Sequence, residues 1–246
     1  MFLYGKNSVF ERIKINPASI KCIYLGDNFN APGIEDLIKS RHIPFKHLPK
    51  SSLYRIKRAD SLQGIIAEVD NFVYADYTDL ILNQRINQLS FIFLDRVFDP
   101  QNLGAMMRIA ACFGRFAIVI PKHKACQVTE ATLHVAQGAE NFVPVAIVSN
   151  LTNALLEAKK CGFWAVGAVI KDGQDVSSLK LPFPLCLVLG SEGSDIRYGI
   201  SKHLDVKAHI LMEGSPLSFN VTAACAVFCY EIAKQRPKSE PIKPKV

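Results

Sequence analysis

Apolar residues recur along the chain in two patterns, and each pattern predicts a different element. Over residues 1–72, short apolar runs such as IKCIYLG, FKHL and GIIAEV predict strands, whereas GIEDLIKSRHI has the spacing of an amphipathic helix. From Leu89 the alternation becomes regular, and apolar runs beginning with LSFIFLD are followed by helical patterns. Near-continuous apolar strands that alternate with helices indicate a parallel sheet covered on both faces.

Breaks in this pattern divide the chain into four segments. Residues 1–72 are expected to form a small α/β domain and residues 89–235 a larger one. The weaker apolar pattern over 73–88 predicts a linker, although TDLILNQ has room for a turn or two of helix. Residues 236–246 contain three prolines and few apolar side chains, so we expect a basic, disordered tail there.

Two helices of the larger domain have recognisable ends. In LTNALLEAKKCG, Asn150 is the expected N-cap and Gly162 the expected stop. The last helix is predicted over residues 220–235. Its most apolar part, residues 221–233, is too short to cross a bilayer of about 30 Å.

The composition predicts a cytoplasmic protein. Lys6 interrupts the N-terminal apolar residues, so the chain does not begin like a secretory signal. Seven cysteines are scattered without a CxxC pair, which is typical of reduced thiols. Cys225 and Cys229 are four residues apart, but nothing near them completes a metal site, and core packing is the favoured interpretation.

The positive charge is concentrated at the two ends of the chain. Residues 1–72 carry 11 Lys and Arg against 7 Asp and Glu, and residues 234–246 carry 5 against 1. Residues 73–233 are nearly neutral, with 13 against 14. Basic ends that bind a polyanion and a solvated surface with a basic tail both explain this distribution.

Three predicted strands end in loops rich in glycine and small polar residues. These loops are RVFDPQNLGAMMR, SEGSDIR and EGSPLSFNVTAA. In open parallel sheets, ligands bind at the carboxyl ends of strands. The chain has neither GxGxxG nor GxxxxGK[ST], which disfavours an ordinary Rossmann enzyme or a P-loop protein. The lone Glu192 in GSEG suits a hydroxyl or a positive centre better than a phosphate.

The same three segments resemble the motifs of a known family. LDRVFDPQNLGAMMRIAACFG, LVLGSEGSDIR and HILMEGSPLSFNVTAACAVFCYE, in this order, are similar to the motifs of the SpoU/TrmH RNA ribose 2'-O-methyltransferases, which belong to the SPOUT class. VAQGAENFVPV, between the first two motifs, is also similar to the family. YGKNSVFERI and SLQGIIAEV resemble the ends of the RNA substrate-binding domain found in the ribosomal-RNA branch, although Leu62 stands where histidine is usual.

The resemblance implies a fold, partners and a reaction. The fold is a SPOUT α/β-knot, a parallel sheet with a deep trefoil knot, preceded by a small α/β RNA-binding domain. The protein is expected to be a homodimer that uses S-adenosylmethionine as co-substrate and needs no metal, because the sulfonium already activates the methyl group. The expected reaction is methylation of a ribose 2'-hydroxyl, with a guanosine of large-subunit ribosomal RNA as target. A transfer-RNA enzyme of the family and a non-catalytic RNA-binding or ribosome-assembly protein are the alternatives.

The resemblance also assigns site residues by position. The cofactor-binding set is Gly190, Ser191, Gly193, Ile210, Met212 and Phe219. The functional polar set is Asn102, Arg108, Glu192, Ser218 and Asn220.

The chemistry of methyl transfer suggests roles for the polar set. A ribose hydroxyl is a weak acid, so its attack needs the developing negative charge to be stabilised in line with the methyl–sulfur bond. Arg108 stays protonated, and we expect it to clamp a phosphate and stabilise the alkoxide. Ser218 and Asn220 are expected to orient Arg108 or the ribose, a role compatible with helix capping. Glu192 either holds the motif loops or the reactants, or only accepts loop hydrogen bonds.

Departures from the family pattern concern the pocket more than the chemistry. Asp195 stands where glycine is common, and Leu211 replaces proline. Phe219 and Thr222 stand where the family commonly has Leu and Ser. We expect the extra carboxylate of Asp195 to alter cofactor affinity and Leu211 to loosen a turn.

Overall fold

The computed structural model describes residues 1–59, 61–83, 88–191, 195–214 and 217–237. The chain divides into two compact units, and each unit is assembled from three separate stretches of the chain. The first unit comprises Met1–Tyr74, Asp99–Arg108 and Gln127–Val143, and the second comprises Ala75–Phe98, Ile109–Cys126 and the chain from Pro144 onward.

Helices and strands alternate through most of the described chain. The strands are β1 (Phe2–Tyr4), β2 (Ile20–Gly26), β3 (Phe45–Leu48), β4 (Ile65–Val69), β5 (Ser90–Leu94), β6 (Phe116–Pro121), β7 (Val145–Val148), β8 (Trp164–Ala168), β9 (Gln174–Asp175), β10 (Leu185–Leu189) and β11 (Val206–His209). The helices are α1 (Lys6–Ile15), α2 (Pro32–Ser40), α3 (Lys50–Ile56), α4 (Tyr77–Leu82), α5 (Pro100–Phe113), α6 (Glu130–Ala136), α7 (Leu151–Lys160), α8 (Tyr198–Ser201) and α9 (Val221–Gln235). Short 3₁₀ turns cover Pro17–Ser19 and Ala139–Asn141.

The first unit is built on a mixed sheet of four strands in the order β1-β4-β2-β3. Strand β4 is antiparallel to both β1 and β2, whereas β2 and β3 are parallel. Leu3, Ile23, Ile65 and Ile66 are fully buried, because this sheet is covered by helices. The small α/β arrangement predicted for the N-terminal residues is therefore present.

Residues 127–143 pack against α1 and β1 inside the first unit. Arg12 donates to the buried carboxylate of Glu140 over 3.1 Å. Glu130 accepts the Phe2 N–H at 2.7 Å and forms an ion pair with Lys57. These contacts join positions up to 128 residues apart in the chain.

The second unit contains seven parallel strands in the order β7-β6-β5-β10-β8-β11-β9. Every residue of β5, β6 and β10 is buried. These strands therefore have neighbours on both faces, as their continuous apolar runs predict. The mixed α/β class with a parallel sheet is confirmed, whereas the trefoil knot stays a prediction.

Local signals in the sequence correctly predicted the ends of α7. The Asn150 side chain accepts the Asn153 N–H at 3.1 Å, and Gly162 has a φ of 91°. A short helix, α4, lies within the stretch predicted as a linker, where TDLILNQ had room for it. Among the described residues, no helix is both long and apolar enough to cross a membrane.

The end of α9 is fastened by Arg236. Its guanidinium lies 4.4 Å from the centre of the Phe116 ring and donates to the carbonyl of Gly114 at 2.8 Å. Burial lowers the pKa of Arg236 to about 10, so the group remains charged at neutral pH. Residues 238–246, the rest of the tail predicted to be disordered, lie outside the described residues.

Candidate active site

A pocket in the second unit opens at the carboxyl ends of β8, β10 and β11. The space between its walls is about 620 Å³, including the part open to solvent. The residues that line it are Ala168, Val169, Ile170, Leu189, Gly190, Ser191, Asp195, Ile210, Met212, Ser218, Phe219, Val221, Ala224 and Phe228. Most of these side chains are apolar or small, so the wall offers backbone groups and carbon surface.

Sheet order brings the pocket loops together. Strands β8 and β10 are adjacent in the sheet, and β11 lies on the other side of β8, so the three loops leave the same edge. The Val169 N–H donates to the Ala208 carbonyl at 2.9 Å, which extends the pairing of β8 and β11 up to the pocket. The walls at this edge are thus held by backbone hydrogen bonds.

Helix α9 supplies the remaining wall, and Asn220 begins it. The Asn220 carboxamide accepts the Thr222 N–H at 2.8 Å and the Thr222 hydroxyl at 2.5 Å. Such a cap satisfies a backbone N–H that has no partner within the helix. The capping interpretation of Asn220 is therefore correct, and a further role in orienting the reactants stays a prediction.

Five of the six predicted cofactor residues line this one pocket. They are Gly190, Ser191, Ile210, Met212 and Phe219, and the predicted polar residue Ser218 joins them. Gly193 and Glu192, also predicted, lie outside the described residues. Two connections far apart in sequence, one after β10 and one between β11 and α9, thus contribute these residues to one cavity. The side chains of Phe219 and Met212 are partly open to solvent, 51% and 36% exposed.

Asp195 adds a carboxylate to the pocket lining, at the position where the sequence departs from the family pattern. Its carboxylate accepts the Ile196 N–H at 2.8 Å, and its carbonyl accepts from Arg96 at 3.3 Å. The negative charge is exposed to solvent at the pocket, where it can attract a positively charged group of a ligand.

A buried carboxylate next to the pocket was missed by sequence reasoning. Asp95 follows β5 directly, is fully buried, and accepts from the Arg197 side chain at 2.6 and 2.7 Å and from its N–H at 3.0 Å. The Asp95 N–H in turn donates to the Leu189 carbonyl at 2.8 Å. This network links the end of β5 to the loop that follows β10. The signal in the sequence was a charged residue directly after the apolar run FIFL.

Arg108 and Asn102 lie on α5 within the first unit. Asn102 is buried, whereas Arg108 is exposed and donates to the Gln137 side-chain oxygen at 3.1 Å. Gln137 ends α6 in the left-handed region, with a φ of 51°. Sequence reasoning missed Gln137 as a partner, although it lies in the segment VAQGAENFVPV.

The close packing of α5 on α6 explains the glycine between these two residues. A Cβ placed on Gly104 would lie 2.5 Å from the Thr132 carbonyl oxygen and 2.8 Å from the Val135 Cβ. A real Cβ does not approach other heavy atoms this closely, so any side chain at position 104 would push α5 and α6 apart. The packing at Gly104 therefore sets the spacing at which Gln137 reaches Arg108.

Among the described residues, no cluster of three or more His, Cys, Asp or Glu could hold a metal ion. The Cys225 and Cys229 sulfurs are 3.8 Å apart and buried. Their mutual hydrogen bond and burial raise the pKa of Cys225 well above its ordinary value, so its thiol stays neutral.

Comparison with known proteins shows similarity along almost the whole chain. Residues 90–230 match the model of the SpoU rRNA Methylase family, and residues 2–75 match a model described as RNA 2'-O ribose methyltransferase substrate binding. A 23S rRNA (guanosine-2'-O-)-methyltransferase RlmB from Nitrosomonas europaea is 32% identical over 238 residues, which cover 95% of this chain and 91% of the relative. The RlmB of Coxiella burnetii is 30% identical over 244 residues, 97% of each chain. Among solved structures, the SpoU methyltransferase AviRb of Streptomyces viridochromogenes in complex with AdoMet has a TM-score of 0.80 at 17% identity, over 96% of this chain and 90% of that one.

Proposed function

The chain belongs to the SpoU rRNA Methylase family, and from this premise we propose that it transfers a methyl group from S-adenosylmethionine to a ribose 2'-hydroxyl of RNA. The substrate we propose is a guanosine of large-subunit ribosomal RNA. The observation that carries the proposal is the pocket at the strand ends, which collects residues of two family motifs into one cavity.

The pocket has the chemistry that S-adenosylmethionine requires. Ile210, Met212 and Phe219 provide apolar surface for the adenine, and backbone groups near Gly190 can hydrogen-bond its edge. The cofactor carries a positive sulfonium and a positive amino group. The carboxylate of Asp195 at the pocket wall favours a ligand with such charges.

Arg108 supplies the positive charge for the attacking oxygen. A guanidinium is a poor general base in ordinary protein settings, so we do not assign that role to Arg108. It instead stabilises the developing alkoxide and binds a neighbouring phosphate. The hydrogen bond that Arg108 donates to the Gln137 side-chain oxygen orients the guanidinium for that task before the RNA binds.

The choice of ribosomal RNA follows from the first unit and from the named relatives. Residues 2–75 match a substrate-binding model, and residues 1–72 carry an excess of four positive charges, a balance that favours a polyanion. The two RlmB relatives are named for 23S rRNA. Such a substrate also agrees with the predicted cytoplasmic location.

We further propose that the protein is a homodimer. Phe113 and Tyr230 are exposed, 36% and 54%, and their rings meet edge to face at 6.3 Å on the surface of the second unit. Apolar rings paired on a surface are typical of protein–protein contacts. A second copy of this chain is the partner that the resemblance implies.

The test is methyl transfer from tritiated S-adenosylmethionine to RNA taken from cells that lack the gene. Ribosomal and transfer RNA are offered together, and the 2'-O-methyl mark is mapped. Label at one ribose of 23S rRNA is the expected result, and label in transfer RNA would contradict the proposed substrate. If calorimetry detects no binding of S-adenosylmethionine to the purified protein, the catalytic proposal fails and a non-catalytic RNA-binding role takes its place.

A further inference from the structure

A second cavity lies in the first unit and is larger than the first, about 1220 Å³ including the part open to solvent. Four segments of the N-terminal residues form its walls. These are the start of α1, the loop over residues 26–30, helix α3 and the turn over residues 62–64. All of them belong to the stretch matched by the substrate-binding model, which assigns no residues to RNA contact.

Two pairs of a lysine and an aromatic ring line this groove. The Lys6 Nζ is 5.4 Å from the centre of the Phe29 ring, and the Lys50 Nζ is 5.8 Å from the centre of the Tyr54 ring. Both rings are partly open to solvent, and Lys50 is exposed. The groove therefore presents aromatic faces and positive charge side by side.

Backbone hydrogen bonds hold Phe29 in place. The Phe29 N–H donates to the Gly26 carbonyl at 2.8 Å, and the Gly26 N–H donates to the Gly64 carbonyl at 2.8 Å. Gly64 has a φ of 75°, and a Cβ on it would lie 3.5 Å from the Phe29 ring. The ring is thus packed along the turn and is organised before any ligand arrives.

We propose that this groove binds a single-stranded segment of the RNA substrate, with unpaired bases stacked on Phe29 and Tyr54 and phosphates bound by Lys6 and Lys50. The proposal rests on the proposed function for the identity of the ligand. Every base has a π-face, so stacking on aromatic rings binds single strands with little regard for sequence. Exposed contacts between a lysine and a ring are weaker than base stacking, so Lys50 can leave its ring for a phosphate at small cost. Lys6 must also release the hydrogen bond that its Nζ donates to the Asn30 carbonyl at 3.3 Å.

Charge favours RNA as the occupant and limits the path of its backbone. Asp27 also lines the groove, and its exposed carboxylate would repel a phosphate. The RNA backbone must therefore follow the lysine side, which leaves Asp27 and the Asn28 amide to hydrogen-bond base edges. Gln63 can offer its amide NH₂, because its oxygen already accepts the Lys6 N–H at 2.7 Å. An acidic peptide would satisfy the lysines but would gain nothing from the two ring faces.

The experiment measures binding of a fluorescein-labelled single-stranded oligoribonucleotide to the full chain by anisotropy. Phe29→Ala and Tyr54→Ala should each weaken binding about 5- to 150-fold, the loss expected when one stacked base is removed. Tyr54→Phe should bind like the wild type, because the ring face remains. Phe10→Ala is the matched control, because Lys14 lies 4.9 Å from the Phe10 ring outside the groove.

Salt dependence separates the lysines from the rings. Lys6→Gln and Lys50→Gln should each reduce the slope of log K against log salt by about 0.7, whereas Lys14→Gln should leave it unchanged. Phe29→Leu keeps apolar packing without an aromatic face, and it should lose affinity as Phe29→Ala does while its melting temperature stays that of the wild type.

Three outcomes would contradict the proposal that the groove binds single-stranded RNA. They are unchanged affinity in both Phe29→Leu and Tyr54→Ala, an equal loss in Phe10→Ala, and a polyglutamate peptide that competes with RNA as strongly as unlabelled RNA does. Calorimetry with S-adenosylmethionine distinguishes this failure from failure of the proposed function. If the wild type binds the cofactor and methylates RNA but the groove variants bind RNA normally, only the groove proposal is rejected. If the wild type does not bind the cofactor, the catalytic proposal is rejected, and RNA binding by the groove can still be measured.

Discussion

Arg108 shows how a single residue depends on its neighbours for a role. An exposed arginine on a helix is ordinarily mobile, because several single bonds connect its charge to the backbone. Here the side chain of Gln137 accepts one guanidinium N–H, and Gln137 is held at the end of α6 by its own left-handed backbone. The charge is therefore restricted before a substrate binds.

Replacing Arg108 with alanine is expected to lower kcat by about 10²–10³-fold, the range for removing one preorganised stabiliser of a developing oxyanion. The melting temperature should stay within about 2 °C of the wild type, because the side chain is exposed. Single-turnover methyl transfer measures the expected loss of rate, and thermal unfolding measures the melting temperature. Near-normal turnover would remove the role proposed for Arg108.

Gln137→Ala is expected to lower kcat about 10-fold, which corresponds to the loss of one hydrogen bond to a charged group, about 1.5 kcal/mol. The affinity for S-adenosylmethionine should not change, because Gln137 does not line the cofactor pocket. A lower kcat with an unchanged calorimetric affinity for S-adenosylmethionine would show that Gln137 positions Arg108, whereas a loss of both would indicate that the fold is disturbed. Gln137→Glu keeps an acceptor for Arg108 and should recover part of the rate. An equal defect in both variants would contradict the positioning role.

At the scale of elements, the segment that contains α6 is fastened to the N-terminal strand and helices by charge. Burial alone would raise the pKa of Glu130, but the hydrogen bonds from Lys57 and from the Phe2 N–H lower it below its ordinary value. Glu140 shows the opposite balance, since burial raises its pKa despite the facing Arg12. Protonation of Glu130 in acid therefore lowers the stability of the folded state, whereas protonation of Glu140 raises it.

The stabilisation from Glu130 is expected to be complete above its ordinary pKa of 4.5 and to be lost as the pH falls through the lower folded-state value. Glu130→Gln should therefore lower the melting temperature at neutral pH and make it less dependent on pH in this acid range. Thermal unfolding at a series of pH values measures both effects. Asp70→Asn is the control, because Asp70 pairs with Lys21 on the open surface and its loss should cost little. A Glu130→Gln variant with the wild-type pH profile would show that the contact contributes nothing.

At the scale of the whole molecule, the proposed dimer follows from surface that one chain leaves uncovered. Phe113 ends α5 and Tyr230 lies on α9, and both residues belong to the second unit, where their rings form one aromatic patch. Aromatic residues are enriched where subunits meet, because they bury a large area while losing little side-chain conformational entropy.

Phe113→Asp combined with Tyr230→Asp is expected to convert a dimer into a monomer, because a carboxylate cannot be buried in an apolar contact without a partner. Light scattering coupled to size exclusion measures the mass. Trp164→Asp changes another exposed aromatic residue, 48% open, and should leave the dimer intact. A wild type that elutes as a monomer at micromolar concentration would contradict the proposal.

Local residue patterns were sufficient for the class of the fold and for its central strands. Continuous apolar runs predicted β5, β6 and β10, and Asn150 and Gly162 marked the ends of α7, because such signals act within a few residues. The motif resemblance was sufficient for the family, and it identified six residues that line one pocket. Short helices such as α3 were missed, since seven residues show too little periodicity to be recognised.

Only the folded chain decided which distant residues meet. Arg12 with Glu140, Arg108 with Gln137 and Asp95 with Arg197 are pairs separated by 128, 29 and 102 residues. Nothing in the local pattern of either partner specifies the other, because strand order and helix packing set these distances. The Lys6–Phe29 and Lys50–Tyr54 pairs share one groove for the same reason: loops distant in sequence leave neighbouring parts of one small fold.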